Sequence, residues 1–281
     1  MEFFKEADYR KVWVLGSTGM LGRYVVKYLK DNNFEIHVLN RDDMDISKVD
    51  EEEIFNILKL RDGDVVINCA GTIKPRVDEL GELNALLVNS VFPHRLQKVC
   101  EKTRARMIHI TTDCVFSGNK GNYTEEDQHD VTDVYGRTKS LGEPKNGMTI
   151  RTSIIGEEIE QSRSLVEWIK SMKDKEVNGF VNHHWNGVTC LQLAKVIGNI
   201  ISDNLNWNGI KHIHSPDTVN KEQLVNMISD IYDLNITVNP VDADEKIDRT
   251  LSSIYDDDYI HNFGIPNLKE QIQEMKKFEI E

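Results

Sequence analysis

The sequence predicts an α/β fold in which a doubly wound parallel sheet is covered by helices and is followed by a smaller C-terminal lobe. Through residues 1–156, short β-branched runs alternate with longer segments of helical period. The runs are apolar throughout, as strands buried on both faces are. A glycine-rich segment follows the first run. From residue 157 the alternation blurs and Asn and Asp become frequent, so residues 157–281 are expected to form mainly the lobe, with part of it returning to the sheet.

The elements are predicted in βαβ order. The first half has strands at residues 12–15, 35–39, 64–68, 107–111 and 148–152. Helices are predicted between them at residues 20–29, 51–60, 85–99 and 135–141. In the second half, Thr189 and Gln192 have the spacing of a capping box, which predicts a helix up to residue 201. Two further helices are predicted at residues 220–232 and 267–277.

The charge balance and the cysteines narrow the class of protein. The chain has 34 Lys and Arg against 47 Asp and Glu, a net charge of −13, which argues against nucleic acid or an acidic membrane surface as its partner. No apolar run approaches the roughly 18 residues of a membrane span, and the charged N-terminal segment predicts no secretion signal. The four cysteines have neither metal-ligand nor disulfide-scaffold spacing, so we expect reduced thiols and a cytoplasmic protein.

A G-x-x-G-x-x-G segment lies between the first predicted strand and the first predicted helix. Glycines at this spacing let the backbone turn tightly and approach a pyrophosphate, whose charge is met by the helix N-terminus. The sequence therefore predicts a Rossmann-like dinucleotide site, with a purely structural glycine turn as the alternative. The residues of this segment are Gly16, Ser17, Thr18, Gly19, Met20, Leu21 and Gly22.

The end of the second predicted strand bears on which dinucleotide is bound. Arg41 is placed to hold the 2′-phosphate of NADPH, although Asp42 and Asp43 leave NADH open. Further contacts are expected at the adenine edge and beneath the dinucleotide. The residues at those positions are Asp45, Ile46, Asn68, Ala70 and Gly71.

A tyrosine and a lysine four residues apart are predicted to share one face of a helix. These are Tyr135 and Lys139, and Thr112 ends the preceding strand at the carboxyl edge, where open α/β sheets bind ligands. A tyrosine with its ordinary pKa of about 10 is a poor acid–base group at neutral pH, and a nearby cation favours the phenolate. A threonine hydroxyl at the strand end can bond the carbonyl oxygen that the tyrosine protonates. The combination predicts carbonyl chemistry, whereas Tyr-x-x-x-Lys alone is typical of any amphipathic helix.

With these motifs the chain resembles the extended short-chain dehydrogenase/reductases, and among them the dTDP-4-dehydrorhamnose reductase family. The resemblance implies hydride transfer from NAD(P)H to the C4 ketone of a UDP- or dTDP-linked 4-keto-6-deoxyhexose, a step of deoxysugar biosynthesis such as that of rhamnose. In that family the equivalents of Thr112, Tyr135 and Lys139 are the catalytic triad. Tyr135 would give the proton, Lys139 would hold the nicotinamide ribose and lower the pKa of the phenol, and Thr112 would orient the carbonyl. The matching segments are residues 16–22, 111–118, 135–139 with 142–143, and 151–153.

A cysteine follows the Thr-Asp pair where many members of that family carry tyrosine. Residues 71–78 and 112–116 are similar to segments of the bifunctional UDP-4-keto-6-deoxyglucose 3,5-epimerase/4-reductases. That resemblance implies an acid–base role for Cys114 in epimerisation, with a half-buried packing residue as the alternative. The partner base cannot be read from the sequence. His183 and His184 are the nearest candidates, and surface or core histidines explain them equally well.

Local donors must hold two diphosphate-bearing ligands in a chain of this net charge. Two of the candidate donors, Lys74 and Arg76, flank Pro75 in a predicted loop, where basic side chains that only contact solvent are an equally good explanation. For the tryptophan candidate, a buried aromatic anchor is the favoured explanation over stacking on the base or sugar. Ile154 stands where the family usually has an aromatic residue that contacts the sugar, which leaves the sugar open. The expected substrate contacts are Lys74, Arg76, Asp113, Arg151 and Trp185.

Two other classes of protein stay open. A nucleotide-binding regulatory subunit on the same fold would keep the glycine segment but would not need Thr112, Tyr135 and Lys139. A nucleotide-sugar 4-epimerase is the second. A 4,6-dehydratase is disfavoured because Cys114 stands where a second acid is expected. The sequence does not fix the oligomeric state, and a homodimer is one of the open possibilities.

Overall fold

A six-stranded parallel sheet forms the centre of the structure, a computed structural model that describes residues 11–159, 164–255 and 263–280. The charged N-terminal segment, on which the expectation about secretion rests, lies largely outside these residues. The order of its strands confirms the predicted doubly wound fold. The strands in chain order are β1 (Val12–Leu15), β2 (Ile36–Val38), β3 (Val65–Asn68), β4 (Arg106–Thr112), β5 (Met148–Thr152), β6 (Ile154–Ile155), β7 (Glu176–Phe180), β8 (His183–Trp185), β9 (Val188–Thr189), β10 (Gly209–His212), β11 (Val219–Asn220), β12 (Thr237–Val241) and β13 (Ile247–Asp248).

Helices cover both faces of the sheet and build much of the lobe. Most begin at a side-chain cap, for example Asp50 and Asp133, whose carboxylates accept from backbone N–H groups of the first turn. The helices are α1 (Met20–Asp31), α2 (Glu51–Leu58), α3 (Lys74–Leu80), α4 (Glu82–Leu86), α5 (Phe92–Thr103), α6 (Val134–Leu141), α7 (Leu165–Ser171), α8 (Cys190–Ser202), α9 (Lys221–Tyr232) and α10 (Leu268–Lys277).

Alternate residues of a strand point to opposite faces of the sheet, and here both faces are buried. Val12 and Val14 of β1 share a core cluster with residues of α1 and α8. Trp13 and Leu15 share another with residues of α2 and α5. Burial on both faces is the reason that the strands read as unbroken apolar runs in the sequence.

The order of strands reverses at β1. The sheet runs β2-β1-β3-β4-β5-β10, so β2 lies on one side of β1 and β3 on the other. The loops that follow β1 and β3 therefore separate and open a crevice at the carboxyl edge, where ligands of open parallel sheets bind. The glycine segment directly follows β1, and Ala70 and Gly71 closely follow β3.

The single helix predicted at residues 85–99 is broken in the structure. A turn of π-helix, Leu87–Val91, separates α4 from α5. In an α-helix the Asn89 carbonyl would accept from the N–H of residue 93, which is proline and has none, so the backbone widens at this point.

The loop expected around Pro75 is also helical. Lys74 and Arg76 lie in the first turn of α3, with Pro75 at its second position. Proline is tolerated there because the first N–H groups of a helix have no partner within it. The helical conformation fixes the directions in which the two basic side chains point.

The lobe shares its core with one face of the sheet. Its small sheets pair β8 with β11 and β13, β7 with β12, and β6 with β9, while β10 returns to the central sheet. One cluster of buried residues runs from the α8 face of the sheet to Ile228 of α9 and Ile272 of α10. A division into two domains at residues 156 and 157 stays a prediction. In the part of the chain that the structure describes, no helix has the length and apolar character needed to cross a bilayer.

The N-terminal cap of α8 joins the lobe to its last helix. Thr189 Oγ1 accepts from the Gln192 N–H at 3.1 Å, as the capping-box spacing predicts. The Thr189 N–H is bonded by Gln271 Oε1 at 3.0 Å rather than by Gln192. A residue of α10 thus completes the cap that the local sequence only half specifies.

Candidate active site

The glycine segment forms a tight cradle between β1 and α1. Gly16 has φ of +76°, and a Cβ on it would lie 2.7 Å from the Ala70 nitrogen. A Cβ on Gly22 would lie 2.0 Å from the Gly16 carbonyl oxygen, so this glycine lets the helix pack against the turn. No side chain caps α1 at Gly19, which leaves the first N–H groups of the helix for a ligand. The three glycines meet the geometric needs of a pyrophosphate site.

A cavity of about 610 Å³ opens from this cradle. It runs between the loops after β1, β2 and β3, and Ile154 and Ile155 line its other side. Its size and mixed lining suit a ligand as large as a dinucleotide. The expected cofactor contacts that line it are Gly16, Ser17, Thr18, Gly19, Met20, Arg41, Asp45, Ile46, Ala70 and Gly71, together with Arg76, which was expected on the substrate side.

The loop after β2 holds itself in shape and leaves Arg41 exposed. Asn40 Oδ1 accepts from the N–H groups of Asp42 and Asp43 at 2.8 Å and 3.0 Å. The Asp43 carboxylate accepts in return from the Asn40 N–H at 3.0 Å. No ion pair or hydrogen bond engages the Arg41 guanidinium among the described residues. Asp42 and Asp43, the acidic neighbours of Arg41, are therefore held in a turn by their bonds with Asn40. The Arg41 guanidinium remains available to bind a phosphate.

Asp45 and Asn68, which were expected to contact the cofactor, form hydrogen bonds within the protein. The Asp45 carboxylate accepts from the Ser47 hydroxyl at 2.6 Å and from its N–H at 3.1 Å. These bonds lower the pKa of Asp45 to about 2. Asn68 is fully buried, accepts from the Ala70 N–H at 3.2 Å and contacts His109 Nδ1 at 3.2 Å. Asn68 thus shapes the loop beneath the cavity without lining it, and Leu21 and Gly22 likewise lie behind the cradle.

Thr112 and Tyr135 meet above the end of β4. Burial is the main reason that the pKa of the Tyr135 phenol is raised, the Asp113 charge acts in the same direction, and the contact with the Thr112 hydroxyl opposes them. The lowering of this pKa that Lys139 was expected to cause is therefore not what the geometry gives. At neutral pH the phenol is protonated, which is the form that can donate to a developing alkoxide.

A glycine permits this meeting. A Cβ on Gly136 would lie 2.3 Å from the Cys114 carbonyl oxygen, so α6 can approach the turn after β4 only because the residue after Tyr135 has no side chain. Asp133 caps the helix by accepting from the Gly136 N–H at 2.9 Å. The phenol is thereby fixed at the first turn of α6.

Lys139 lies one turn further along α6 and reaches under the cavity. Its ammonium is buried and donates to the Ile110 carbonyl at 3.1 Å. It lies 3.8 Å from where a Cβ on Gly71 would be, and Gly71 is one of the residues that line the cavity. Burial lowers the pKa of Lys139 to about 8, against an opposing effect of the Glu143 carboxylate.

Asn89 joins the cavity wall to α6 and was missed in the sequence analysis. Its side chain accepts from the Thr72 N–H at 2.8 Å, and donates to the Thr72 carbonyl at 3.0 Å and to the Thr138 hydroxyl at 3.1 Å. The π-helical turn directs Asn89 inward. Pro93, four residues later within a predicted helix, is the sequence signal that could have revealed it.

Cys114 lies in the turn after Thr112 and is half-buried. Its N–H donates to Thr112 Oγ1 at 3.1 Å, and the same hydroxyl donates to the Asp113 carboxylate at 3.1 Å. Burial and the Asp113 charge raise the pKa of the Cys114 thiol to about 12. Of the two candidate partner histidines, His183 is bonded to the Glu245 carbonyl at 3.0 Å.

Arg151 does not face the crevice. It is fully buried and bonds both Glu143 oxygens at 3.1 Å and 2.7 Å. Its remaining donors reach His212 Nε2 at 2.8 Å and His129 Nε2 at 2.7 Å. The guanidinium is thus engaged with other residues of the protein interior, and Arg151 ties β5 to its neighbours.

The other residues that were expected to contact the substrate lie in different surroundings. Lys74 is exposed and lies 3.6 Å from the Asp133 carboxylate. Trp185 is only 5% exposed and packs against Gly187, so it is an anchor of the lobe. Asp113 is buried beside Thr112, and burial raises its pKa while the charge of Arg249 opposes the shift. Arg249 and Lys221, which the sequence analysis did not consider, approach this turn from the lobe.

A doubly wound sheet with a glycine cradle at its reversal point, and a helix carrying Tyr-x-x-x-Lys beside the end of the next strand, define the extended short-chain dehydrogenase/reductase class. A family model described as the RmlD substrate binding domain matches residues 10–276. The chain belongs to this family, which confirms its resemblance to the dTDP-4-dehydrorhamnose reductase family, while the similarity to the bifunctional epimerase/reductases stays a prediction.

Characterised relatives carry related names. The chain is 33% identical to a dTDP-4-keto-6-deoxy-D-glucose reductase of Streptomyces niveus, over 50% of this chain and 51% of that protein. It is 32% identical to a dTDP-4-dehydrorhamnose reductase of Mycolicibacterium smegmatis, over 48% of this chain and 40% of that protein. It is also 26% identical to the methionine adenosyltransferase 2 subunit beta of Rattus norvegicus, over 71% of this chain and 67% of that protein. The match to each of the two reductases thus spans about half of their length or less.

Solved structures share the fold over nearly the whole chain. A dTDP-4-dehydrorhamnose reductase of Clostridium acetobutylicum superimposes with a TM-score of 0.77 and 24% identity, covering 95% of this chain and 98% of that one. The Bacillus anthracis enzyme in complex with NADP gives a TM-score of 0.79 and 18% identity, covering 95% of this chain and 99% of that one. At these identities the likeness establishes the fold.

Proposed function

We propose that this chain is an NADPH-dependent reductase of the C4 ketone of a nucleotide-linked 4-keto-6-deoxyhexose. The observation that carries the proposal is the pairing of Thr112 with Tyr135 at the end of β4, with the Lys139 ammonium one turn away on α6 beside Gly71, a residue that lines the cavity opening from the glycine cradle. The names of the Streptomyces and Mycolicibacterium relatives support a dTDP-linked keto sugar as the substrate class. A UDP-linked sugar remains the competing substrate in the assays below.

The residues fit NADPH and the reduction of a ketone. The Gly16 cradle and the N-terminus of α1 would hold the pyrophosphate, and Arg41 would hold the 2′-phosphate. Bound NADPH would supply the hydride to C4. The protonated phenol of Tyr135 then gives its proton to the alkoxide oxygen, so that a C–H and an O–H bond form and the ketone becomes an alcohol. Lys139, whose ammonium lies one turn further along α6 and beside Gly71, would hold the nicotinamide ribose.

The proposal is tested by turnover of a panel of dTDP- and UDP-4-keto-6-deoxyhexoses with NADPH. Wild-type protein should oxidise NADPH and yield the 4-hydroxy sugar. Tyr135→Phe should lose roughly 10²–10⁴-fold in kcat, the usual contribution of a general acid, while NADPH affinity stays within about twofold. Tyr255→Phe, at an exposed ring of the lobe, is the matched control and should keep full activity. Full turnover by Tyr135→Phe would refute the assignment of the acid.

We propose further that Cys114 returns a proton to C3 or C5 when the same site epimerises its substrate. A thiol with a pKa near 12 can donate a proton at neutral pH, but it cannot serve as the base that removes one. The role is therefore limited to the acid. In heavy water, wild-type product should contain deuterium at C3 or C5, and Cys114→Ala should lose this label while still reducing C4. Unchanged label in Cys114→Ala would remove the cysteine from the chemistry.

We propose a homodimer as the oligomeric state. Leu83 of α4 and Leu141 of α6 are 69% and 62% exposed, and α4 packs against α6, which supports an apolar face on this pair of helices. Sedimentation velocity should give twice the mass of the chain, and Leu83→Asp with Leu141→Asp should give the mass of the monomer. A wild-type monomer would contradict the proposal.

A regulatory subunit is the second candidate function. It is favoured by the match to the Rattus methionine adenosyltransferase 2 subunit beta, which is longer than the matches to the reductases. This role needs nucleotide binding but no proton donor. It would be preferred if the chain bound NADPH, turned over none of the keto sugars and raised or lowered the activity of a methionine adenosyltransferase added to it.

A further inference from the structure

Two cations of the lobe converge on the turn that follows β4. Lys221 is the first residue of α9, and Arg249 directly follows β13. The Asp113 carboxylate acts electrostatically on Lys221, and the charge of Arg249 acts on Asp113 and on Lys221. The lobe thus brings two cationic side chains close to the turn that follows β4.

The Lys221 ammonium has no protein acceptor among the residues described. Its side chain is half-buried, and Nζ lies 5.9 Å from the centroid of the Trp185 ring. Within the three described ranges, no carboxylate or carbonyl oxygen bonds it. An ammonium has three hydrogen-bond donors, and withdrawing it from water without acceptors costs free energy. Acceptors supplied by a ligand would offset that cost.

Arg249 is fixed at one end and open at the other. Its Nε donates to the Phe116 carbonyl at 2.9 Å. Gly118 makes room for the side chain, since a Cβ there would lie 3.1 Å from Arg249 Cγ. In the part of the chain that the structure covers, the two terminal amino groups have no acceptor. A guanidinium held in this way presents a preorganised fork to an oxyanion.

The acidic groups nearby do not neutralise these cations by direct pairing. Asp113 accepts from the Thr112 hydroxyl, and no ion pair within 4.0 Å joins it to either cation. Asp130, whose carboxylate is also affected by Arg249, accepts from the Ser117 N–H at 2.7 Å and hydroxyl at 2.6 Å. Both carboxylates are thus already engaged in bonds to neighbouring residues.

The donors expected for the substrate are largely absent from this side of the crevice. Arg151 is buried with Glu143, Lys74 lies beside Asp133, and Arg76 lines the dinucleotide cavity. A chain of net charge −13 still requires a local positive site to hold a second polyanion. We propose that Lys221 and Arg249 are that site and bind the diphosphate of the nucleotide sugar, an inference that rests on the proposed function.

The test measures binding and needs no turnover. The chain is titrated calorimetrically with dTDP and UDP, and with thymidine and uridine, which lack the diphosphate. Wild-type protein should bind at least one of the diphosphates. Lys221→Met and Arg249→Gln should each weaken its binding at least about tenfold, as expected when one charge-assisted partner is lost, while nucleoside affinity stays the same. Lys246→Met, an exposed lysine three residues before Arg249, should behave as wild type.

Two controls keep the result interpretable. NADPH affinity and the temperature of unfolding, measured for each variant, show that the dinucleotide cavity and the fold are intact. Should one variant fail to fold, the other still tests the assignment. Unchanged diphosphate affinity in both variants overturns it, and so does a wild-type chain that binds neither diphosphate. Failure of the keto-sugar assay with intact, charge-dependent binding of a diphosphate would instead reject the reductase and keep the site.

Discussion

The carboxamide of Asn89 donates a 3.1 Å hydrogen bond to the Thr138 hydroxyl, and so connects a widened helical turn to the helix that carries the phenol and the ammonium. The same amide also pairs with both backbone groups of Thr72. Asn89→Ala leaves these buried partners unsatisfied, so the free energy of unfolding should fall by about 1–3 kcal/mol per unsatisfied group. Urea denaturation measures this loss. Asn239→Ala, on an exposed position of β12, should change stability by less than about 0.5 kcal/mol.

The glycine cradle gives a prediction with a built-in control. Gly16 and Gly81 both have positive φ, +76° and +86°, but only Gly16 is crowded by backbone. Gly81→Ala should cost only the conformational strain of φ +86° and ψ 159°, about 1–3 kcal/mol. Gly16→Ala adds a Cβ 2.7 Å from the Ala70 nitrogen, so it should be less stable than Gly81→Ala and should bind NADPH at least tenfold more weakly. Equal stability and NADPH affinity in the two variants would contradict the role of the close approach.

The lowered pKa of Lys139 leads to a prediction about how the free energy of unfolding depends on pH. Its pKa in the folded chain is about 8, below its ordinary value of 10.5, so between these values the unfolded chain binds more protons and the wild type gains stability as pH rises. Below pH 8 the burial penalty is fully present. Replacement by Met removes it, so the stability advantage of Lys139→Met over wild type should be greatest below pH 8 and should shrink between pH 8 and 10.5. Urea denaturation at several pH values measures this difference, and a constant difference would reject the shifted pKa.

The position of Arg41 leads to a prediction about the preference for NADPH over NADH. Its guanidinium lines the cavity and is held by no protein acceptor among the described residues. Arg41→Ala should weaken NADPH binding roughly 10- to 100-fold, as expected for the loss of a charge-assisted contact to phosphate, and should leave NADH binding unchanged. Arg61→Ala, at an exposed loop, is the control. Fluorescence titration with each dinucleotide separates these outcomes, and an equal loss for both dinucleotides would speak against recognition of the 2′-phosphate.

The buried pair of Arg151 and Glu143 predicts a large effect on stability. Glu143→Gln leaves the guanidinium in the protein interior without its counter-charge and should cost about 3–5 kcal/mol. Lys195 and Glu274 form an exposed pair at 2.6 Å, and Glu274→Gln should cost no more than about 1 kcal/mol. Chemical denaturation of the two variants compares them directly. Similar losses would mean that the buried network contributes little.

The sequence by itself determined the class of fold and most of the cofactor cradle. Strand runs such as residues 12–15, the glycine spacing and the Tyr-x-x-x-Lys helix are local patterns, because a period of two or 3.6 residues and a turn that requires glycine are written within a few neighbouring positions. The predicted strands and helices agree with the structure to within a few residues, apart from the helix that Pro93 breaks. Arg41, too, lies at the cavity as its place after the second strand predicts.

The tertiary structure decided which polar groups face the ligand. Arg151 is bonded to Glu143, His129 and His212, whereas Lys221 and Arg249 lie more than 100 residues further along the chain than the turn they approach. Whether a cation meets a carboxylate, and how far burial shifts the pKa of Tyr135 or Cys114, depends on side chains that only the packed chain brings together. Electrostatic interactions and burial depend on distances in the folded chain, and these distances cannot be read from the order of residues in the sequence.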